Sequence, residues 1–297
     1  MTTTLVTGIN GFTGRYLAPR LLDAGHNVHG IVRASNHADD GTTMHVCDLL
    51  DRQRLGELVA EIHPDYVIHL VAIAFVGHGD LEEMYRTNIM GTRALLEACA
   101  NAAVPPRAVL ICSSANVYGN ANCVVLTEDS PIRPANDYAV TKAAVEHLAA
   151  IYKARLPIIV TRPFNYTGVG QSETFLIPKI VSHVRRRAAT IELGELDVAR
   201  DLSAVRTVVD AFLRLLETPA AIGRTFNVCS GKAVSLELVI ALASEIAGYQ
   251  IDVTVNPAFM RANEVKILQG SCAALENVIG PLDMPPFAET LRWMIEA

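Results

Sequence analysis

The stretch Thr7-Gly8-Ile9-Asn10-Gly11-Phe12-Thr13-Gly14 joins a short apolar run to an amphipathic one. Residues 3–7 have the composition of a buried strand, and residues 12–24 space their apolar side chains as a helix does. Glycines at such a junction allow a tight turn and bring the backbone close to a pyrophosphate at the helix N-terminus. With a second predicted strand at 27–32, the stretch predicts a βαβ unit that binds a dinucleotide. The alternative is a glycine-rich turn without a ligand.

The alternation of strand and helix continues through the first half of the chain. Further apolar runs predict strands at 44–47, 66–69, 108–112 and 157–161. Helical spacing predicts helices at 52–62, 81–102 and 138–152. Repeated units of this kind form a parallel sheet with helices on both faces. The predicted fold class is therefore α/β, a Rossmann-type doubly wound parallel sheet.

The second half of the chain has a looser pattern after about Phe164. It predicts helices near 175–187 and 205–218 and strands near 191–193 and 224–227. We therefore expect two units that share one cleft. They are a dinucleotide-binding domain over residues 1–165 with a return segment at 204–229, and a smaller C-terminal substrate-binding lobe over 166–203 and 230–297.

The composition is that of an ordinary folded protein. The chain has 297 residues, 51% of them hydrophobic, and its 25 basic and 31 acidic residues give a net charge of −6. Nothing in this balance predicts a nucleic-acid or membrane partner. Six cysteines occur without CxxC pairs, and no apolar run approaches the ~18 residues of a membrane span. We therefore expect reduced thiols, no metal site and a cytoplasmic location.

A tyrosine and a lysine form the most reactive pair in the sequence. Tyr138 and Lys142 are four residues apart on a predicted helix and so share one face. An ammonium near a phenol favours the phenolate, which would let the tyrosine exchange a proton near neutral pH. Reduction of a carbonyl requires such a group, because the oxygen is protonated as hydride reaches the carbon. The alternative is a surface pair on a helix.

The order of these motifs is that of a known family. The GxxGxxG turn, the segment Cys112-Ser113-Ser114-Ala115-Asn116-Val117-Tyr118-Gly119 and the Tyr138–Lys142 pair together resemble the extended short-chain dehydrogenases/reductases, the NAD-dependent epimerase/dehydratase family. The resemblance implies that Ser114 is a catalytic hydroxyl, Tyr138 the proton donor and Lys142 a ligand of the nicotinamide ribose. Ser113 is the alternative hydroxyl, and either serine could instead be a cap or turn residue.

The end of the second predicted strand distinguishes between cofactors. A carboxylate there would bind the ribose 2′-hydroxyl of NAD, whereas Arg33 and Ser35 suit a 2′-phosphate. NADPH is therefore the predicted cofactor, and NADH is the alternative. The alternative for Arg33 is a solvated loop residue without a cofactor contact.

Further cofactor contacts come from the resemblance. It implies that Asp48 and Leu49 contact the adenine, that Leu70 lines the cofactor and that Pro163 flanks the nicotinamide. At Asn88 we expect a structural hydrogen bond. The predicted cofactor-binding residues are Gly8, Asn10, Gly11, Phe12, Thr13, Gly14, Arg33, Ser35, Asp48, Leu49, Leu70, Tyr138, Lys142 and Pro163.

Two later segments resemble those of GDP-mannose dehydratases and GDP-4-keto-6-deoxy-D-mannose reductases. They are Leu193–Asp201 and the Arg-x-x-Glu element that begins at Arg261. Guanidinium groups suit phosphate oxygens, and a carboxylate suits a ribose diol. The alternative for Arg261 and Glu264 is a surface helix pair. The predicted substrate-binding residues are Ser114, Asn165, Phe175, Lys179, Leu196, Arg200, Arg261 and Glu264.

Two departures from the related sequences concern packing. Leu202 stands where an aromatic residue is usual, and Thr207 stands where an acidic residue is usual. In the loop from Phe75 to Asp80, which we expect to border the sugar, His78 is interpreted as a solvated residue rather than a catalyst.

The predicted reaction is reduction by NADPH of the C4 ketone of a GDP-4-keto-6-deoxysugar, hexose or heptose, to a GDP-6-deoxysugar used as a polysaccharide precursor. Asn116 stands where 4,6-dehydratases carry a glutamate, and an amide cannot cycle a proton, so reduction fits better than elimination. The alternatives are a nucleotide-sugar 4-epimerase with bound NAD and a dinucleotide-sensing protein without catalysis. The resemblance also implies a homodimer.

Overall fold

The first apolar run forms an inner strand of a seven-stranded sheet in the computed structural model. The structure describes residues 1–34, 41–75, 79–120, 125–260 and 265–297. In this part of the chain the strands are β1 (Thr3–Thr7), β2 (Asn27–Val32), β3 (Thr43–Val46), β4 (Tyr66–His69), β5 (Ala108–Cys112), β6 (Ile158–Pro163), β7 (Asn165–Thr167), β8 (Thr190–Leu193), β9 (Ala199–Ala204), β10 (Thr225–Val228), β11 (Ala233–Ser235), β12 (Asp252–Val255) and β13 (Ile267–Leu268).

The helices follow the predicted alternation. They are α1 (Phe12–Asp23), α2 (Arg52–Ile62), α3 (Leu81–Tyr85), α4 (Thr92–Asn101), α5 (Asp137–Tyr152), α6 (Leu176–Arg185), α7 (Val205–Leu216), α8 (Leu236–Ala247), α9 (Ala273–Ile279) and α10 (Phe287–Glu296). Within the described ranges, no helix is both long and apolar enough to cross a membrane.

The large sheet is doubly wound. Its order is β10-β6-β5-β4-β1-β2-β3, and every neighbouring pair is parallel. The fold class predicted from the sequence is confirmed. The winding reverses between β1 and β4, so the crevice beyond the carboxyl ends of these strands is where ligands bind in such folds.

Helices cover both faces of this sheet. On one face, α1, α7 and α9 bury a core that includes Leu17, Phe212 and Leu275. On the other, α2, α4 and α5 bury a second core, and full burial of each such side chain is worth about 1.5–3 kcal/mol. The ends of the strands, and the residues that directly follow them, are thereby held in fixed positions.

The predicted helix at 81–102 is not uniform. It consists of α3 and α4 joined by a π-helical segment, Arg86–Gly91. Asn88 lies within this segment and bonds to the backbone of Ile73 rather than to solvent. π-Helical turns occur frequently at functional sites. The residue that Asn88 contacts, Ile73, belongs to the segment that follows β4, so this segment is a candidate part of the site.

The smaller lobe has its own sheets and core. The strands β11, β9 and β13 are neighbours, β7 also pairs with β9, and β8 pairs with β12. Helices α6, α8 and α10 pack on these strands around residues such as Ile180, Ile240 and Leu291. The large sheet includes β10 at its edge beside β6, so the chain returns to the first unit after building part of the second.

Candidate active site

The glycine turn connects β1 to α1. Gly8 has a φ of +75°, and a Cβ added there would lie 3.0 Å from the backbone nitrogen of Val71. A Cβ at Gly14 would overlap the carbonyl oxygens of Gly8 and Ile9. Both positions require glycine, because strand, turn and helix meet backbone to backbone.

The N-terminus of α1 is open to an anion. Gly11 caps the helix without a side-chain hydrogen bond, and the first turn has no acidic residue. Asn10 and Gly11 are exposed in the turn. Free N–H groups and the positive end of the helix dipole suit a pyrophosphate. The turn therefore fits the diphosphate of a dinucleotide through its backbone alone.

Two residues of this turn contact a segment far along the chain. Thr13 Oγ1 lies 2.8 Å from Tyr166 Oη, and the Phe12 ring stacks on that of Tyr166 with 6.0 Å between centroids. Tyr166 could not be predicted as a site residue, because no local pattern signals a contact between residues 153 positions apart. This contact ties the glycine turn to β7.

The predicted adenosine end of the crevice lies near the ends of β2 and β3. The Arg33 guanidinium donates to Glu83 Oε1 at 3.1 Å and to Thr87 Oγ1 at 3.2 Å, and its side chain is 58% exposed. Asp48 lies in an exposed turn and accepts from the N–H of Leu50, whereas Leu49 is buried. The predicted contact Ser35 lies outside the described residues.

Asn88 fixes the segment after β4. Its Oδ1 accepts from the N–H of Ile73 at 2.8 Å, and its Nδ2 donates to the carbonyl of Ile73 at 3.2 Å and to Thr141 Oγ1 at 3.0 Å. Leu70 donates its N–H to Thr7 at 3.1 Å and is half-buried beside the glycine turn. The structural hydrogen bond expected of Asn88 is confirmed.

Ser114 lies beside Tyr138, near enough for its hydroxyl to lower the pKa of the phenol against the effect of burial. Ser114 follows β5, and its Oγ accepts from the backbone N–H of Asn116 at 3.2 Å and from Nδ2 of the same residue at 3.1 Å. Tyr138 lies in the first turn of α5, whose N-cap is Asn136. Ser114 is 7% exposed and Tyr138 8%, so both hydroxyls lie in a largely dry site at the carboxyl edge of the sheet.

Burial shifts the ionisation of Tyr138. Lys142 Nζ lies 6.0 Å from the centroid of the Tyr138 ring and donates to the carbonyl of Cys112 at 2.6 Å. Burial raises the pKa of Tyr138 above its ordinary value, the neighbouring Cys112 adds to the shift, and the nearby Ser114 hydroxyl opposes it only in part. The phenolate that Lys142 is expected to favour stays a prediction.

Lys142 is itself buried, at 4% exposure. Desolvation lowers the pKa of its ammonium, while the nearby groups of Cys112 and Glu146 oppose that shift. An ammonium has three protons, and Cys112 accepts one of them. The remaining donors suit the hydroxyls of a bound ribose.

Ser113, the alternative hydroxyl, has a different partner. It donates to Glu146 Oε1 at 2.6 Å, and Glu146 is paired with Arg162 at 2.7 Å. The structure therefore brings Ser114, and not Ser113, against Tyr138. Pro163, the residue after Arg162, ends β6 and is buried.

Two predicted substrate residues belong to the start of α6. Phe175 is the N-cap of that helix, and its ring lies edge-on to Phe75 at 6.2 Å between centroids. Lys179 donates to the carbonyl of Glu192 at 2.7 Å, and its Nζ lies 4.1 Å from the centroid of Phe259.

The other predicted substrate residues lie on the strands and loops of the smaller lobe. Asn165 is exposed on β7, and Leu196 is 37% exposed before β9. Arg200 donates to the carbonyls of Ala199 and Lys266 at 3.0 and 3.2 Å. Arg261, Glu264 and the loop residue His78 lie outside the described residues.

The two departures from the related sequences have local explanations. Leu202 is buried in the core of the smaller lobe, where an aliphatic side chain fills the space. Thr207 donates to the carbonyl of Asp283 at 2.8 Å, so its hydroxyl joins α7 to a later loop.

The catalytic candidates and the glycine turn form one site. Tyr166 contacts Thr13, and burial, with Cys112 and Tyr138 nearby, raises the pKa of Tyr166 above its ordinary value. The turn that fits a dinucleotide and the buried serine, tyrosine and lysine therefore meet at the same sheet edge. A fold and site of this kind define an oxidoreductase that uses a nicotinamide dinucleotide.

Family comparison agrees with that class. The model of the NAD dependent epimerase/dehydratase family matches residues 4–229. The chain belongs to this family and is an NAD(P)-dependent oxidoreductase, as the sequence predicted.

Two relatives act on GDP-linked sugars, according to their names. The GDP-6-deoxy-D-mannose reductase of Pseudomonas aeruginosa is 34% identical over 286 residues. The GDP-6-deoxy-D-talose 4-dehydrogenase of Aggregatibacter actinomycetemcomitans is 31% identical over 276 residues. In both cases the match covers 93% of this chain and 90% of the relative. These relatives support a GDP-sugar-modifying enzyme.

Solved structures share the fold over nearly the whole chain. A structure from Burkholderia cenocepacia J2315, provisionally described as an epimerase, is 48% identical with a TM-score of 0.93 and covers 99% of this chain and 97% of its own. RMD from Pseudomonas aeruginosa complexed with NADPH is 29% identical, with a TM-score of 0.85 and coverages of 100% and 98%. MoeE5 in complex with UDP-glucuronic acid and NAD is 28% identical, with a TM-score of 0.88 and coverages of 99% and 98%. Nicotinamide dinucleotides are thus bound by two of these neighbours.

Proposed function

We propose that this enzyme uses NADPH to reduce the C4 ketone of a GDP-4-keto-6-deoxysugar, giving a GDP-6-deoxysugar. The observation that carries the proposal is the burial of Ser114, after β5, and of Tyr138, at the start of α5, with Lys142 one helical turn further along α5 and bonded to the carbonyl of Cys112. This arrangement supplies a proton donor and a second hydroxyl for one carbonyl oxygen. We further propose residues 1–165 with 204–229 as the cofactor domain and the remaining segments as the substrate lobe.

The chemistry needs a proton at the ketone oxygen. Bound NADPH supplies the hydride to carbon. Tyr138 donates its proton to the oxygen as negative charge develops there. Ser114 orients the oxygen, and Lys142 holds the ribose and offsets the negative charge left on Tyr138. The low exposure of all three residues strengthens these interactions.

Arg33 supports the choice of NADPH. Its present partners are side chains in an exposed pair, which is worth only about 0–1 kcal/mol. A 2′-phosphate would offer the guanidinium a doubly charged partner at little cost, and the NADPH complex of the Pseudomonas aeruginosa neighbour agrees with this choice.

Asn116 supports reduction over elimination. Its amide donates to Ser114 from the position where a dehydratase needs an acid and base. An amide can orient a hydroxyl, but it cannot take the C5 proton of a sugar.

A 4-epimerase is the second candidate, and the neighbour of 48% identity supports it. Such an enzyme would oxidise and then reduce C4 on a retained NAD. Cofactor stoichiometry separates the two candidates, because a reductase consumes one NADPH for each product, whereas an epimerase has no net consumption of its cofactor.

The first experiment follows NADPH absorbance with purified protein and GDP-4-keto-6-deoxymannose made in place by a dehydratase. We expect rapid consumption by the wild type and a loss of at least about 10²-fold in Tyr138→Phe, because general acid catalysis is worth that much. Tyr138→Phe with unchanged NADPH affinity serves as its own binding control. If the folded wild type binds NADPH but does not reduce this ketone, the proposed substrate is wrong.

The assembly is proposed by resemblance. We propose a homodimer acting in polysaccharide precursor synthesis, and light scattering at micromolar concentration would test its mass. A fully active monomer under assay conditions would contradict the proposed dimer but not the proposed reaction.

A further inference from the structure

A buried carboxylate outside the serine, tyrosine and lysine set connects three parts of the active site. Glu146 lies on α5, four residues after Lys142 and eight after Tyr138, so all three share one face of the helix. Its side chain is 9% exposed. A carboxylate this deep in a protein requires partners, and the identity of those partners indicates what it does.

The first partner is the residue before Ser114. Ser113 Oγ donates to Glu146 Oε1 at 2.6 Å, the length expected of a hydroxyl that donates to a carboxylate. This bond fixes the chain at the position where β5 ends and the 3-10 turn capped by Ser114 begins. The backbone next to Ser114 is thereby held by α5.

The second partner is the residue before Pro163. Arg162 donates from Nε to Oε1 at 2.9 Å and from Nη2 to Oε2 at 2.7 Å, so the pair is bidentate. Its Nη1 donates to Tyr118 Oη at 2.8 Å, and Tyr118 ends the same 3-10 turn. The carboxylate thereby joins α5, the end of β5 and the end of β6.

We propose that Glu146 is a positioning residue: by holding Ser113 and Arg162 it sets the Ser114 hydroxyl against Tyr138. The proposal rests on the proposed function for its kinetic test. Stability alone is a poor explanation for the arrangement, because buried ion pairs are often replaceable by apolar side chains without loss. A positioning role explains why the partners are the residues directly before Ser114 and Pro163.

The matched substitutions are Ser113→Ala and Ser203→Ala. The first removes one hydrogen bond to Glu146 and leaves the ion pair intact. The second removes a buried hydroxyl for which the described residues provide no hydrogen-bond partner. In Ser113→Ala we expect kcat to fall at least tenfold, with KM values for both substrates within twofold of wild type. Ser203→Ala is expected to keep its kcat.

An isotope effect tests whether the slowed step is chemical. With NADPH deuterated at the transferred hydrogen, we expect a larger effect on kcat in Ser113→Ala than in the wild type. An unchanged kcat and isotope effect in Ser113→Ala would overturn the proposal.

A crystal structure of Ser113→Ala tests the geometry without any substrate. We expect the distance between the Ser114 and Tyr138 hydroxyls to be longer than in a wild-type structure, and an unchanged distance would overturn the proposal. If the wild type reduces no 4-keto sugar, the proposed function fails while this structure still decides the role of Glu146.

The double variant Glu146→Gln/Arg162→Met removes both charges, so neither is left buried and unpaired. We expect a melting temperature near that of wild type and a kcat at least tenfold lower. Full activity in this variant would show that the pair serves the fold only and would overturn the proposal.

Discussion

A single carbon atom distinguishes a working glycine turn from a broken one. At Gly14 an added Cβ would overlap the carbonyl oxygens of Gly8 and Ile9, which belong to the backbone and cannot rotate away. We predict that Gly14→Ala weakens NADPH binding at least tenfold and lowers the free energy of unfolding by about 1–3 kcal/mol, as overpacking does. Fluorescence titration and thermal melts measure the two effects.

The control for this substitution is Gly56→Ala. Gly56 lies inside α2, and an added Cβ would meet no atom within 4 Å. Alanine there is expected to raise stability by about 0.5–1 kcal/mol and to leave NADPH binding unchanged. Equal behaviour of the two variants would contradict the account of Gly14.

His69 provides a residue-level prediction about pH. Thr92 donates its hydroxyl to the carbonyl of Asn88 and therefore accepts from His69 Nε2, which leaves Nδ1 to accept from Thr7. The neutral imidazole is thus satisfied on both sides. Burial lowers the pKa of His69 to about 3, and Lys142 adds to the shift.

The sign of the pH effect follows from the lowered pKa. The unfolded chain binds a proton at His69 below pH ~6.5, whereas the folded chain does so only near pH 3, so stability is full above about 6.5 and falls between these values. The loss is about 1.4 kcal/mol per pH unit. In urea unfolding we expect the fall from pH 6.5 to 5 to be smaller in His69→Asn than in the wild type. The exposed His63→Asn should match the wild type, and equal falls in all three proteins would contradict the prediction.

Some of these residues could be predicted from local sequence patterns, and others could not. Gly8, Tyr138 and Lys142 stand in fixed spacings within one strand or helix, so the printed sequence contains the signal. Glu146 and Tyr166 act through partners brought together only by the sheet, and no spacing along the chain encodes such contacts. The burial that raises the pKa of Tyr138 also has no local signal, since burial is a property of the folded site.

At the scale of elements, a π-helical segment joins α3 to α4. Asn88 bonds there to both backbone groups of Ile73 and to Thr141. We predict that Asn88→Ala lowers the free energy of unfolding by about 1–3 kcal/mol, the cost of leaving buried polar groups unpaired. NADPH affinity should also fall, because the segment after β4 loses its anchor.

The control is Asn101→Ala, at the exposed end of α4. Among the described interactions, the Asn101 side chain has one hydrogen bond, which its amide oxygen accepts from Arg155 at the surface. Denaturant unfolding and NADPH titration of both variants provide the comparison. Similar values for the two would exclude an anchoring role for Asn88.

Elements were predictable where their residues follow a clear pattern of polarity. The buried strands of the large sheet are almost continuously apolar, as parallel sheets require, and the sequence revealed them. In contrast, β9 contains Arg200 and Asp201, which break any apolar pattern. Asp201 is fully buried there, and it accepts from the backbone N–H groups of Ser230 and Gly231. A strand stabilised by its neighbours' N–H groups has no signature of its own.

At the scale of the whole molecule, one side chain joins the two cores. Trp293 is the single tryptophan, and it packs against both the core under α1 and α7 and the core of the smaller lobe. Its ring lies 6.1 Å from that of Tyr16 and 3.8 Å from the guanidinium of Arg206. We predict that tryptophan fluorescence and far-UV circular dichroism give the same unfolding midpoint. Two separate midpoints would mean that the lobes unfold independently.

The return of the chain to the large sheet has a consequence for synthesis on the ribosome. Between β6 and β10 the chain leaves the sheet to form β7, β8 and β9, and α7 covers the sheet only afterwards. A nascent chain that has reached residue 165 therefore exposes the free edge of β6 and the part of the apolar face that α7 will cover, both of which favour aggregation. Protection arrives only after about residue 228 has emerged, so the sheet is completed late in translation.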